Sequence, residues 1–579
     1  MQVLVKKILG FLLKNKYLVL IFLLTVLLRF VYLTYAPPSL NWDEVSQGYN
    51  AYSILKTGRD EWGSLLPLAN FRAYGDYPVA LNLYLTIPFI AIFGLSEFSL
   101  RVPHAILGSF TVLAAYFLAL GLTKSKKVSL ITALLVAIEP WSLFLSRFVV
   151  LSNLSVFFIT FAFAAFFNRD KGRYLLPLSI FFLGLSLFSY HSARIVTPVL
   201  LAAGFFIYKK QVLEKLKKDS KVKVLIAVLL LVFFLPLPYL LSRPETRARS
   251  KFVFLINDAS VAKIIQMRQD SKLPAPLARL VYNRPSYFIR EFTANYVDYF
   301  SSKFLFTQGG TQYQFSIPKR GLLYLINLPL FYLGLLTVFK KALRKQKDYL
   351  FVVVWLLASP IPAAITSEQY AVVRASSMLP LPMLFSAIGL AGILDWLKSR
   401  IKVANLLLGI YLLVLFLLAR SYLILYFGEY HKDYSWSWQW GYKEVVEYAK
   451  QNYTYYDKII VTKKYGEPHE FFLFFWPWDP GEYRGDPNLI RFYQSGWYWV
   501  DRFDKFYFVN DWQIPVNSKD DFVLESGGNV ECRTQSNKCL LITSPGNYPD
   551  GWVKLETVNF LDGKPAFEIL DNQGGYALQ

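Results

Sequence analysis

The chain has 579 residues, of which 54% are hydrophobic and only 18% charged, and its formal net charge is +22. A soluble protein of this length carries about a quarter charged residues, and nucleic-acid binding is excluded by where the positive charge lies: in short Lys/Arg clusters between apolar runs, where it sets membrane topology. Two cysteines, Cys532 and Cys539, are too few for thiolate metal clusters, and their spacing is not C-x-x-C.

The apolar runs are about 20 residues long, enough to cross a hydrocarbon core roughly 30 Å thick. In chain order they fall near 17–36, 102–122, 128–145, 150–167, 174–189, 193–208, 222–241, 321–339, 349–365, 376–394 and 403–425. The first follows basic residues, as a signal peptide does. It is long and no small-residue cleavage site follows it, so it reads as a retained span. Basic clusters lie at Lys6, Lys7, Lys14 and Lys16, at Lys124, Lys126 and Lys127, at Arg169, Lys171 and Arg173, and at 209–223, 340–347 and Lys398, Arg400 and Lys402. With eleven spans all of them share the cytoplasmic side. Residues 81–93 (LNLYLTIPFIAIF) are apolar but short and interrupted by Pro88. They are expected as a juxtamembrane helix, since an extra span there would invert every later cluster. The basic stretch 243–320 lies outside in this scheme and is too long for the charge rule to govern.

The predicted organisation is mostly α: a polytopic membrane domain over 1–427, followed by a small extracytoplasmic α/β domain over 428–579. The N-terminus is cytoplasmic and the external loops are at 37–101 and 242–320. In the tail, 441–452 has helical spacing and 458–462 (KIIVT) reads as a buried strand. Further strands are expected at 505–509, 539–543 and 553–560, the last pairing with 567–570 across Asp562-Gly563. Cys532 and Cys539 bracket a polar turn (RTQSNK), as a disulfide-pinned hairpin would in an oxidising compartment. Two unpaired thiols are the alternative.

The topology gathers polar residues on the outer face. Asp43 and Glu44 follow the first span, with Asp76 and Tyr77 in the same loop. Arg147 lies between spans three and four, Tyr190, His191 and Arg194 between five and six, and Arg374 between nine and ten. Carboxylates suit general-base work on an acceptor hydroxyl or amine, arginines suit a phosphate, and aromatics suit sugar faces and the interface. Each also has a plain role: a solvated acidic pair, arginines snorkelling to headgroups, a turn at Asp76, a hydrogen-bonded interface histidine at His191.

These residues carry a resemblance. The acidic pair in a long first external loop, the segment 74–84 (YGDYPVALNLY), the Gly-x-x-Glu-x-x-x-Arg-x-Pro pattern in 93–108 (FGLSEFSLRVPHAILG) and the Pro…Ser-Arg element in 138–148 (IEPWSLFLSRF) resemble the GT-C-fold glycosyltransferases. The similarity is to bacterial relatives of protein O-mannosyltransferases and of the lipid A aminoarabinose transferase. It covers about 1–425 and is most specific over 40–210. It implies transfer of a sugar from a polyprenyl-phosphate carrier, with inversion at the anomeric carbon, to a glycan, lipid or protein acceptor. Asp43 would be the general base and Glu44 its support. Arg147 and Arg194 would hold the phosphate, and Arg101 would fix the loop. The lysine before a double proline in the aminoarabinose branch is replaced by Asp76-Tyr77-Pro78, which weakens the case for that sugar, and β-trefoil repeats are absent. No spacing compels a cofactor; a divalent cation on the hard oxygens of Asp43, Glu44 and Asp76 is compatible with the sequence. The competing functions are a transporter or flippase of lipid-linked saccharides and a receptor or scaffold. The collection of polar groups at one face, rather than at the midplane, favours surface chemistry.

Overall fold

The computed structural model describes residues 14–243, 253–532 and 537–573. Lys6 and Lys7, residues 244–252 of the second long loop and residues 533–536 of the turn between the cysteines lie outside them. The chain forms two compact units: residues 1–31 with 104–423, and residues 32–103 with 424–579. The loop at 37–101 therefore folds with the C-terminal domain, whereas the sequence placed it with the spans. The reason is side-chain chemistry over long sequence separations, described below.

The larger unit is helical. Seven described helices are long and apolar enough to cross a membrane: Glu97–Thr123, Ala193–Lys218, Ser220–Ser242, Leu325–Leu343, Lys347–Ala364, Ser376–Trp396 and Lys398–Asp433. The other four expected spans correspond to shorter described helices. Lys16–Phe30 has 15 residues, Leu151–Phe167 has 17, and Leu175–Leu187 has 13. The expected span 128–145 is broken, with Lys126–Ile138 and Pro140–Leu145 flanking Glu139. Proline at the first position of the second piece ends the first, because its ring denies the preceding turn a hydrogen bond. Glu139 is buried and accepts the Tyr324 amide at 2.7 Å and the Asn327 side-chain amide. The stretch 242–320 contains the helices Asp258–Gln269, Ala275–Val281 and Arg284–Asp298.

The smaller unit combines the first loop with a sheet. Among the described residues its nine strands are β1 Lys458–Thr462, β2 Ile490–Gln494, β3 Trp497–Phe503, β4 Phe506–Val509, β5 Phe522–Val523, β6 Asn529–Val530, β7 Cys539–Thr543, β8 Val553–Asn559 and β9 Pro565–Asp571. Seven form one mixed sheet in the order β2-β3-β4-β1-β7-β9-β8. The apolar run KIIVT sits at its centre, parallel to β4 on one side and β7 on the other, as expected for a strand covered on both faces. The helix expected at 441–452 is Tyr442–Gln451, and β8 pairs with β9 across Asp562-Gly563. The β2–β3 hairpin is an addition to the sequence-derived elements. Cys532 and Cys539 are joined by a disulfide, Cα to Cα 5.8 Å.

Candidate functional site

The helix Trp42–Thr57 opens on a reciprocal cap. Asn41 Oδ1 accepts the Glu44 amide at 3.0 Å, and Glu44 Oε2 accepts the Asn41 amide at 3.3 Å. Asp43 and Glu44 thus occupy the first turn, where negative charge complements the exposed amides of the helix end. Successive helical residues point about 100° apart, so the acidic pair diverges: Asp43 is exposed and Glu44 is buried.

Glu44 is spent on structure. Its two oxygens receive Arg101 Nε at 3.1 Å and Nη2 at 3.2 Å, with both side chains at 0% exposure. The rest of that guanidinium donates to the carbonyls of Leu33 (3.1 Å), Pro37 (2.9 Å) and Ser39 (2.5 Å). Arg101 therefore ties down both the chain leading into the helix and the residue beside Asp43.

Asp43 Oδ1 accepts the hydroxyl of Tyr74. Tyr74 is buried, and burial together with the Asp43 charge holds its phenol well above the ordinary range, so it stays a donor. Its ring stacks on Trp497 with centroids 5.5 Å apart and planes at 25°. Gly75 makes room for this, because a Cβ there would overlap the Trp497 indole. Trp497 follows Ser495-Gly496, both at positive φ (54° and 83°), the backbone a two-residue hairpin turn requires. The indole Nε1 in turn donates to Glu467 Oε1 at 2.5 Å.

The other residues expected at the site fall as follows. Asp76 Oδ1 accepts the Tyr77 amide at 2.8 Å, a local turn bond. The Tyr77 ring lies under Arg72, whose guanidinium is 5.8 Å from it, 5.0 Å from Trp62 and 4.6 Å from Tyr498. These belong to the smaller unit with Asp43. Arg147, Tyr190, His191, Arg194 and Arg374 belong to the larger one. Arg147 donates to the carbonyls of Leu28 (2.6 Å), Arg29 (3.1 Å) and Val31 (2.8 Å), closing the end of the helix Lys16–Phe30. Arg194 Nε donates to the Leu187 carbonyl at 3.1 Å, and its Nη1 lies 3.5 Å from His191 Nδ1. The Tyr190 and His191 rings are 6.4 Å apart. Arg374 pairs with Glu368 at 2.5 Å and reaches Thr366 Oγ1 at 3.3 Å.

The sequence reading did not single out Tyr74 as the Asp43 partner, nor Trp497 and Glu467 behind it. The Ser-Gly step between two aromatic-rich alternating runs (IRFYQ and WYWVDRF) was an available hairpin signal. It also passed over a buried group formed by Glu61, Glu467, His469 and Glu470. Burial, then the neighbouring Glu61 charge, pushes the Glu470 carboxyl well above its usual range, and burial raises Glu467 to about 8. Burial likewise holds His469 well below the ordinary imidazole value, hence neutral.

Residues 19–245 match the family model described as dolichyl-phosphate-mannose-protein mannosyltransferase, a segment that contains the whole 40–210 stretch carrying the resemblance. The chain also superposes on ArnT from Cupriavidus metallidurans, solved with undecaprenyl phosphate, at a TM-score of 0.50 and 11% identity over 98% of this chain and 99% of that one. The fold is of the GT-C type. The apo form of the same protein gives 0.48 and 12% identity, with 97% and 98% covered. The archaeal oligosaccharyltransferase AglB from Archaeoglobus fulgidus, solved with an inhibitory peptide and a dolichol-phosphate, gives 0.48 and 17% identity over 80% of this chain. This chain spans 64% of the length of AglB. No curated protein matches the chain by sequence.

Proposed function

We propose that the protein is a membrane glycosyltransferase that moves a sugar from a polyprenyl-phosphate-linked donor to a glycan, lipid or protein acceptor of the cell envelope, at the extracytoplasmic face. The observation that carries this reading is the exposed Asp43 carboxylate, bonded by Tyr74 and set beside a fully buried Glu44–Arg101 pair. That arrangement leaves one acid toward solvent on a rigid support, as a general base requires. The GT-C fold and the mannosyltransferase family match over 19–245 make a lipid-phosphate sugar the natural donor class.

In the proposed step Asp43 takes the proton from an acceptor hydroxyl or amine as that atom attacks the anomeric carbon. The bond from that carbon to the phosphate oxygen breaks on the opposite side, inverting the centre, and its electron pair leaves on the polyprenyl phosphate. Arginines hold such a phosphate through paired donors and stabilise its growing charge. The candidates for that role are Arg147, Arg194 and Arg374, which at present donate to three helix-end carbonyls, to the Leu187 carbonyl and to Glu368 respectively.

The basic clusters support a cytoplasmic N-terminus, and the smaller unit supports a common face for the first loop and the C-terminal domain. Residues 32–103 and 424–579 fold together, which supports one face for the first loop and the C-terminal domain and an even number of spans between them. Eleven spans in all satisfy that condition. Against a transporter, the buried Glu139 is held by the Tyr324 amide and Asn327, which suits a fixed helix break better than a mobile relay.

The test is transfer of radiolabelled sugar in proteoliposomes, using a panel of undecaprenyl-phosphate hexoses and pentoses with envelope extract as acceptor. Transfer by the wild type and its loss in Asp43→Asn are expected. Lipid flipping without any transfer would establish the transporter instead.

A further inference from the structure

A second cluster lies in the same unit as Asp43 but serves no step of the proposed reaction. Glu61 comes from the first loop; His469 and Glu470 come from the first turn of the helix Pro468–Phe475. One ligand atom from each lies within 4.8 Å of the others, and all three side chains are buried, at 0%, 3% and 1% exposure. Glu61 Oε1 receives Arg491 Nη2 at 3.4 Å and the Tyr483 hydroxyl at 3.5 Å. Glu61 Oε2 and Glu470 Oε2, by contrast, are buried without a donor in good hydrogen-bond geometry, with only the Ser46 hydroxyl and the opposing carboxyl beside them. Unsatisfied carboxylate oxygens in a dry interior are costly, and such groups ordinarily pair with a cation or coordinate a metal.

The imidazole is oriented as a metal ligand would be. His469 Nε2 faces Glu470 Oε1 at 4.0 Å, while Nδ1 faces Glu467 Oε2 at 3.6 Å. One ring nitrogen thus faces the carboxylates of the cluster and the other faces Glu467, which lies just beyond hydrogen-bond distance where a carboxylate–histidine–metal triad has its outer carboxylate. Charge points the same way. Glu61, Glu467 and Glu470 converge on this cluster, with Arg491 and Lys463 as the cations beside them.

We propose that Glu61, His469 and Glu470 bind a divalent transition-metal ion of the zinc class, which fastens the first external loop to the C-terminal domain. One imidazole nitrogen with two carboxylate oxygens is a donor set that suits such ions. Binding would couple to folding, because the unfolded chain separates the ligands by some 400 residues. The effect would also reach the candidate active site. Glu467 holds the Trp497 indole, Trp497 stacks on Tyr74, and Tyr74 donates to Asp43. Glu467 is thereby a positioning residue that joins the two.

The test uses the purified full chain, stripped with chelator, reloaded with Zn²⁺ and measured for metal by mass spectrometry. Near-stoichiometric retention is expected in the wild type and in Asp43→Asn, with affinity at least about tenfold weaker in His469→Gln and Glu470→Gln. Should those variants fail to fold, the stripped wild type supplies the decisive readings: Zn²⁺ should raise its melting temperature, and Co²⁺ should give a visible absorption band. A wild type that retains no zinc and shows neither response overturns the proposal, leaving two buried carboxyls that share a proton. Full retention by a folded His469→Gln variant overturns it equally. Metal content is read without substrate, so failure here would leave the glycosyltransferase reading standing.

Discussion

Asp43 and Glu44 are adjacent acids, and the structure requires that their substitutions fail in opposite ways. Glu44 and Arg101 face each other at 3.1 Å with no exposure. At an effective dielectric constant of about 20, such a pair attracts by about 5 kcal/mol. Replacing Glu44 by Gln leaves a buried guanidinium without its counter-charge, and breaking a buried pair from one side costs about 3–5 kcal/mol. In a unit of roughly 200 residues, 1 kcal/mol moves the melting temperature by about 2–4 °C, so Glu44→Gln should lower the transition of this unit by about 6–20 °C. Asp43 is exposed, and its replacement by Asn should change stability by about 0.5 kcal/mol or less while cutting turnover by about 10² or more, the range for a lost general base. The assay pairs thermal unfolding of each variant in detergent with transfer turnover at a temperature where both are folded. An Asp43→Asn enzyme with wild-type turnover, or a Glu44→Gln protein with wild-type stability, would refute the division of labour.

Gly75→Ala places a Cβ against the Trp497 indole; overpacking of this kind costs about 1–3 kcal/mol. It should lower both the melting temperature and turnover, because the Tyr74 stack is displaced. Cys532→Ser with Cys539→Ser opens a loop with a sequence separation of 7. Chain-entropy arguments give about 2 kcal/mol for so short a loop, measurable as reduced stability with transfer activity intact at low temperature. For topology, a protease site inserted after Lys126 should resist external protease in sealed cells, and one inserted after Asp520 should be cut. The reverse pattern would invert the orientation.

Much of the small unit could be read locally. KIIVT, the strand starting at Cys539 and the Asp562-Gly563 turn declare themselves through apolar runs and turn chemistry confined to a few residues. Seven of the eleven expected spans were legible for a similar reason; the other four fall on shorter described helices, one of them broken by proline at Glu139-Pro140. Asp43 and Glu44 were legible as a pair, with Glu44 expected as the support and Arg101 as fixing the loop, but the Glu44–Arg101 ion pair was not. The Asn41-x-x-Glu44 spacing does carry a capping signal that marks Glu44 as the structural partner. What no local pattern could supply is long-range pairing. Arg491 reaches Glu61, and Arg484 reaches Ser53 Oγ at 2.9 Å and the Asp60 carbonyl at 3.0 Å. Neither arginine stood out in the tail, because each looks like an ordinary surface cation until the first loop lies against it.

Those contacts explain why the first loop belongs to the C-terminal unit rather than to the spans that flank it in sequence. A loop anchored only by its two ends would leave Asp43 mobile, and a base must be held within a fraction of an ångström of its working position to be effective. Here Arg101 holds the helix start from one side. From the other, Gly48 admits Phe474 so closely that a Cβ would meet its ring at 2.6 Å, and the Glu467–Trp497–Tyr74 series reaches Asp43 itself. On the proposed mechanism the C-terminal domain contributes no reacting group. It pre-organises one, and a chain truncated after residue 433 should retain its helices yet lose transfer even with Asp43 in place. Undiminished turnover by that truncated chain would show that the membrane-spanning part alone suffices to position the base.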